Sequence, residues 1–142
     1  QCGEQRVSYL QQDFSDLQLS ANSFDLVVSS IAIHHVDDLT KQVLFQCVLE
    51  SLKPGGVFTF VDQFRGETPG IYQQHMRVWK SFADAKGVPP EEWQMWMEHQ
   101  EQHDFHATVH DQMQWLHEAG FIEVDCLWKH VLWTLLTARK RT

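Results

Sequence analysis

Residues 24–36 read FDLVVSSIAIHHV and combine a strand signal with a polar end. The first half, Phe24 to Val28, is an almost continuous apolar run with two valines, typical of a strand buried on both faces of a parallel sheet. Small polar residues and two histidines follow. In an open α/β sheet, ligands bind beyond the carboxyl ends of the strands. The stretch therefore predicts a buried strand with a functional site at its tip.

Length and composition predict a single domain over the 142 residues, 43% of which are hydrophobic. No apolar run reaches the roughly 18 residues of a membrane span. The net charge is −8 and the only basic cluster is the short tail 139–141, which argues against a nucleic-acid partner. Three widely spaced cysteines favour reduced thiols and a cytoplasmic location.

The flanking sequence predicts further strands and a helix. Residues 6–10 form a short strand, and Asp37-Asp38 offers an N-cap for a helix that residues 53–56, KPGG, terminate. Val57 to Val61 is the next strand, so strand, helix and strand form a parallel βαβ unit. The helix has apolar residues at spacings of three and four, which predict a core-facing stripe: Leu39, Val43, Leu44, Val48, Leu49 and Leu52.

Residues 64–107 form an insert with two predicted helices, the first ending near Gly87 and the second starting at Pro89-Pro90. The insert is expected to cover the strand ends as a lid, or to pack on the sheet edge as a helical hairpin. Thr108 and Asp111 predict a capping box for another helix, which Gly120 ends. Two strands separated by residues 129–130 then close the sheet as an antiparallel hairpin. The predicted fold is α/β, mostly parallel.

These pieces, in this order, resemble the class I S-adenosylmethionine-dependent methyltransferase family over nearly the whole chain. The resemblance is carried by short motifs: QDF at 12–14, residues 24–36, LKPGG at 52–56, and Leu116 with AGF at 119–121. It implies a partial Rossmann-like sheet with S-adenosylmethionine as cofactor. Asp13 would accept a hydrogen bond from the adenine amino group beside Phe14, while Ser29, Ser30 and Ile31 would line the reactive end. Asp13 could equally cap a turn.

The family's glycine-rich loop has no counterpart here, since the first four residues, QCGE, contain one glycine. The chain is therefore expected to be the C-terminal two-thirds of the domain, with about half of a cofactor site. It would leave the strand Phe24–Val28 with an open edge. That edge would be covered by the strand at residues 6–10, by a second copy in a homodimer, or by preceding residues.

Methyl transfer needs a positioned acceptor and sometimes a base that removes its proton. A histidine suits the base role, so His34 and His35 are the candidate catalytic residues. They are adjacent, and in an extended chain only one of them would face a site. Asp62, Phe64 and Trp79 are the candidate substrate contacts.

The histidines at 99, 103, 106 and 110 invite a metal-site interpretation, but their HQEQH spacing lacks the zinc-protease pattern. We expect a solvated polar helix end and no metal. The sequence thus predicts methyl transfer from S-adenosylmethionine to a small molecule. The alternative is a non-catalytic, truncated module for binding or oligomerisation.

Overall fold

The computed structural model describes residues 7–142 and contains one mixed sheet of four strands. The strands are β1 (Phe24–Ser30), β2 (Leu52–Gln63), β3 (Ile122–His130) and β4 (Trp133–Arg139), in the spatial order β1-β2-β4-β3. Only β1 and β2 pair in parallel, and both other pairs are antiparallel. The α/β prediction is confirmed, whereas "mostly parallel" is wrong because β4 runs antiparallel between β2 and β3.

The strand predicted for residues 6–10 does not form where the structure describes it. Residues 7–13 have no regular secondary structure, and the Tyr9 side chain is 95% exposed. An extended segment becomes a strand only when a neighbour satisfies its backbone groups, and no described strand pairs with this one. Residue 6 lies outside the described part of the chain.

Strand β1 is less buried than its sequence predicts. Its Leu26 and Val28 side chains are 54% and 65% exposed, while Val27 packs against the core. Successive side chains on a strand point to opposite faces, so one face of β1 is covered and the other is open. The prediction of burial on both faces is therefore wrong for the described chain.

Helix α1 (Asp38–Ser51) connects β1 to β2 and packs on the covered face. Its N-cap is Asp37, as predicted, and the carboxylate of Asp37 accepts from the backbone N–H of Thr40. The predicted core stripe is partly wrong, because Leu39 and Val43 are exposed. The buried face of α1 is instead formed by Lys41, Leu44, Phe45, Val48 and Ser51.

The insert contains α2 (Pro69–Ala85) and α3 (Pro90–His103), and α4 (Val109–Ala119) follows it. The capping box of Thr108 and Asp111 forms as predicted, and Gly120 ends α4 in the left-handed conformation with φ of 110°. The loop between β3 and β4 lies at residues 131–132, two residues later than predicted, because His130 pairs with Trp133. Within residues 7–142, no helix combines the length and apolar character required to cross a bilayer.

The core lies between the sheet and the helices α1 and α4. It is dominated by aromatic side chains from β2 and its neighbours, with Phe58 and Phe60 stacked at a ring-centroid distance of 4.9 Å. The ring of Phe45, on α1, packs against both of these rings at centroid distances of 5.9 and 5.7 Å. Helix and sheet therefore bury one continuous apolar layer, and the polar ends of β1 and β2 lie at its margin.

Candidate functional site

A cavity of about 240 Å³ lies beside the ends of β1 and β2, where the chain meets the insert. One wall is aromatic and comes from the insert: Trp79 and Trp96 stack with their rings 6.2 Å apart. The other wall is polar. The lining residues are His34, His35, Gln63, Trp79, Trp96, His99, Gln100 and Asp104. The structure thus brings the predicted residues His34, His35 and Trp79 to one cavity.

His34 is fixed by the buried carboxylate of Asp62, near the end of β2. The Nδ1 atom of His34 lies 2.5 Å from Oδ1 of Asp62. The Oδ2 atom of Asp62 accepts from the backbone N–H groups of Ile33 and His34, at 2.7 and 3.1 Å. A carboxylate accepts hydrogen bonds, so the proton of the imidazole resides on Nδ1. The Nε2 atom of His34 then carries a lone pair and lies 3.8 Å from Oδ1 of Asp104.

His34 and His35 both approach this site, and the expectation that only one of them could do so is wrong. They lie in a 3-10 turn over Ile33–His35, not in extended chain, and their ring centroids are 3.9 Å apart. In a 3-10 turn, consecutive side chains diverge by about 120°, whereas in a strand they diverge by about 180°. Nδ1 of His35 lies 3.0 Å from Oδ1 of Asp104.

Four histidines surround the carboxylate of Asp104, which is 6% exposed. We call this group the Asp104 cluster; it comprises Asp104, His34, His35, His99 and His106. Despite the close approach of His35, Oδ1 of Asp104 is buried without a hydrogen bond within the described residues. Such a carboxylate oxygen is rarely left without a partner. Asp104 also contributes to two neighbouring cavities, so it lies at the centre of the polar region.

Backbone contacts of Phe105 hold Asp104 in this position. The N–H of Phe105 donates to the carbonyl oxygen of His34 at 2.7 Å. The carbonyl oxygen of Phe105 accepts from Nζ of Lys41, and Lys41 also donates to the carbonyl oxygen of Val36. Burial lowers the pKa of Lys41 below its ordinary value, with Asp38 opposing that shift. The end of the insert is thus fastened to the turn that carries the histidines.

His106 is a shielded member of the Asp104 cluster, with a side chain that is 4% exposed. Its Nδ1 lies 3.0 Å from the hydroxyl oxygen of Tyr72, which accepts from the amide of Gln100. Burial lowers the pKa of His106 to about 4, against the attraction of Asp104. His106 is therefore neutral at pH 7. The expectation of a solvated polar helix end is wrong for Asp104 and His106, whose side chains are buried, although His99 is exposed.

Two of the residues predicted to bind the cofactor, Phe14 and Ser29, lie on the other side of the 3-10 turn. Phe14, Val28 and Ser29 help line a second, apolar cavity of about 210 Å³, which Ile33 also borders. Ile33 and His34 are consecutive, so they border the second and the first cavity respectively. Ser30 ends β1, and Ile31 follows with φ of 49°, a strained value for a β-branched residue.

Asp13 and Phe64 occupy different environments from the other predicted residues. Asp13 is exposed and accepts from both the N–H and the hydroxyl of Ser15 through Oδ1, so it caps a short 3-10 helix. Phe64 is fully buried and stacks on Phe60 at 6.1 Å, within the core. The structure does not bring either side chain into the first cavity.

Sequence reasoning missed Asp104, Gln63, Trp96 and Lys41. The histidine-rich end of α3 was the available signal for Asp104, since this carboxylate lies between His103 and His106 in the sequence. Lys41 gave no signal, because an exposed lysine is the ordinary expectation for a helix. Its burial depends on carbonyl groups that the fold supplies from elsewhere.

Comparison with known proteins gives a family match in the first part of the chain. Residues 1–60 match the family model described as a methyltransferase domain. Over 60 residues the chain is 37% identical to an uncharacterized methyltransferase from a Synechocystis species. This alignment covers 42% of the present chain and 28% of that relative, so the chain spans less than a third of its length.

Solved structures share the fold over almost the whole chain. An S-adenosylmethionine-dependent methyltransferase from Mesorhizobium loti has a TM-score of 0.67 at 23% identity, covering 97% of this chain and 72% of that protein. Human N-acetylserotonin methyltransferase, solved in complex with the cofactor, has a TM-score of 0.60 at 18% identity, covering 94% and 33%. At these identities the likeness establishes the fold, and the Rossmann-like prediction is confirmed. The chain thus resembles a methyltransferase domain in sequence over residues 1–60, and it shares the Rossmann-like fold of S-adenosylmethionine-dependent methyltransferases over almost its whole length.

Proposed function

We propose that the chain takes part in methyl transfer from S-adenosylmethionine to a small molecule, which binds in the cavity between His34 and Trp79. The observation that carries this proposal is the pair of adjoining cavities, one apolar and one polar, separated by the turn at Ile33–His35. Such a pair provides separate places for a cofactor and an acceptor. The proposal extends to the insert, residues 64–107, as the lid of the polar cavity.

The described residues fit one part of the cofactor. The apolar cavity beside Phe14 and Ser29 suits a flat base, and the exposed carboxylate of Asp13 uses only Oδ1 for its hydrogen bonds to Ser15. Asp13 Oδ2 would accept from the adenine amino group, while Ser30 and Ile31 would lie toward the reactive end. The bound cofactor supplies an electrophilic methyl group.

His34 is the residue we assign to proton removal. Asp62 holds the Nδ1 proton, so Nε2 has a free lone pair at the cavity wall. His35 would orient the acceptor from the same turn. Trp79 and Trp96 offer apolar faces on which an aromatic or aliphatic acceptor would pack. Substrate contacts by Asp62 and Phe64 remain predictions. In this structure Asp62 contacts the imidazole of His34, and Phe64 packs on Phe60 in the core.

Titration with S-adenosylhomocysteine, followed by calorimetry, tests the cofactor assignment. We expect micromolar binding, weakened at least about tenfold in Asp13→Asn, because the loss of one hydrogen bond to a charged group costs about 1.5–3 kcal/mol. Asparagine caps a helix as well as aspartate does, so this variant keeps the local fold. Asp16→Asn, in the same turn, is the matched control and should bind normally. Absence of binding by the chain would contradict the proposal.

The second candidate is a binding or oligomerisation module without catalysis, and the open face of β1 supports it. Within the described residues, β1 pairs on one side only, and Leu26 and Val28 are exposed on that strand. A homodimer formed through this edge would pair the backbone groups that β1 leaves open, and packing of the second copy on the open face would cover the two side chains. Light scattering tests the dimer. Weak interfaces assemble at concentrations on the order of 100 µM, so a monomeric mass at that concentration would contradict the dimer. The cytoplasmic location stays a prediction.

A further inference from the structure

We propose that His34, His35 and Asp104 form a binding site for a divalent transition-metal ion of the zinc class. One ligand atom from each residue lies within 4.8 Å of the other two. Oδ1 of Asp104 is 3.0 Å from Nδ1 of His35 and 3.8 Å from Nε2 of His34. Ligands around a tetrahedral ion with bonds of about 2.1 Å are about 3.4 Å apart. The observed separations bracket that value.

The state of Asp104 is the independent observation in favour of an ion. The side chain of Asp104 is only 6% exposed, yet its Oδ1 makes no hydrogen bond within the described residues. Nδ1 of His35 is close enough to donate to this oxygen but is not aligned for it. Burying an unpaired carboxylate oxygen is costly. A cation between Asp104 and the two imidazoles would remove that cost.

Asp62 prepares His34 for coordination. A metal-bound imidazole usually donates its other N–H to a carboxylate, which fixes the ring and raises its basicity. Asp62 makes this contact at Nδ1 of His34 and leaves Nε2 directed toward Asp104. Two imidazoles with one carboxylate form a ligand set that suits zinc or iron(II) more than calcium or magnesium.

The remaining positions around the ion face the cavity. His99 lies outside the set of three ligands, although its Nε2 is 3.7 Å from Oδ1 of Asp104 and its exposed side chain borders the same cavity. Water or an oxygen of the acceptor would therefore complete the coordination. His34 and His35 come from the turn after β1, while Asp104 follows α3 of the insert. The ion would therefore tie the insert to the sheet.

This inference concerns the cavity assigned above to the acceptor, but ion binding does not depend on methyl transfer. If both hold, Nε2 of His34 coordinates the ion and cannot also remove a proton. The ion would then lower the pKa of an acceptor hydroxyl in place of His34. Cofactor binding by Asp13 and Phe14 would be unaffected. The two proposals are thus separable, because S-adenosylhomocysteine and metal titrations report on different cavities.

Metal titration of the untagged, EDTA-treated protein tests the site. We expect one equivalent of Zn²⁺ to bind with micromolar or tighter affinity, and Co²⁺ to give visible absorption bands of a four- or five-coordinate ion. His35→Gln should weaken Zn²⁺ binding at least tenfold. Asp104→Asn should weaken it more, and circular dichroism checks that each variant folds.

His103→Gln is the matched control, because His99 and His103 form a helical pair with ring centroids 5.0 Å apart that could bind metal by itself. This variant should keep the wild-type affinity. Loss of binding in His103→Gln with retention in His35→Gln would assign the ion to the helix surface and overturn the proposal. Absence of stoichiometric binding by the folded wild-type protein would overturn it as well.

Discussion

Nζ of Lys41 donates a hydrogen bond of 2.5 Å to the carbonyl oxygen of Phe105, 64 residues further along the chain. Replacement of Lys41 by Met leaves that carbonyl and the one of Val36 without their donor. Methionine also avoids the cost of burying a charged ammonium group, and this offsets part of the loss. We therefore expect a net destabilisation of about 2 kcal/mol in urea unfolding at pH 7. Lys53→Met, at an exposed ion pair with Asp25, should change stability by less than about 1 kcal/mol.

The same lysine should make stability depend on alkaline pH. Burial lowers the pKa of Lys41 below 10.5, so the folded chain loses this proton before the unfolded chain does. Between the two pKa values the unfolded state binds more protons, and the free energy of unfolding rises with pH. The stability difference between wild type and Lys41→Met should therefore grow from pH 7 toward pH 10.5. A difference that shrinks over this range would contradict the burial of the charge.

Asp62 should be among the most sensitive polar positions. Asp62→Asn keeps the side-chain shape but replaces one of two acceptor oxygens that serve Ile33, His34 and Gln63. We expect a loss of about 3 kcal/mol in the free energy of unfolding, because buried donors are left unpaired. Asp25→Asn, at an exposed carboxylate on β1, is the control and should be nearly neutral. Equal effects at the two positions would be inconsistent with the buried network.

Phe45 and Val43 test which face of α1 is buried. Phe45 is fully buried against Phe58 and Phe60, so Phe45→Ala should cost about 3–5 kcal/mol. Val43 lies on the same helix and is exposed, so Val43→Ala should stay within about 0.5 kcal/mol. Chemical denaturation measures both. The core-facing stripe predicted from the sequence includes Val43. A large loss of stability in Val43→Ala would therefore contradict the buried face of α1 that the structure shows.

Val131 should be replaceable with a gain in stability. It begins the two-residue hairpin loop with φ of 58°, a position where glycine is preferred. Val131→Gly should raise the melting temperature by about 3 °C, since the relief of strain exceeds the entropic cost of glycine. Val131→Ala keeps a Cβ atom and should gain less. A melting temperature that falls in the glycine variant would mean that Val131 packing outweighs its strain.

Short-range signals predicted most of the elements. The N-cap at Asp37, the capping box at Thr108 and the glycine cap at Gly120 each depend on residues a few positions apart, and each forms as the sequence indicates. The order of strand, helix and insert followed from these signals. The spatial order of the strands in the sheet did not follow from these signals, because it depends on pairing between residues that are far apart in sequence.

The site was predictable only in outline. His34, His35 and Trp79 lie at the end of a strand and in the insert, and their positions in the sequence identify them. Asp104 becomes central only because Phe105 is bonded to His34 and Lys41, and no spacing in the sequence encodes that contact. The exposure of Leu26 and Val28 was likewise hidden, since an apolar strand looks the same whether or not another element covers it.

The position of β4 between β2 and β3 has a consequence for synthesis on the ribosome. Residues 133–139 pair with residues 57–63, so β4, which follows β1, β2 and β3 in sequence, lies in an interior position of the described sheet. A nascent chain that has not yet released these residues holds β2 with one unpaired edge beside its phenylalanines. Such an edge attracts chaperones and other strands. Emergence of residues 133–139 from the ribosome, and not emergence of α1, thus sets the moment at which β2 can pair along both of its edges.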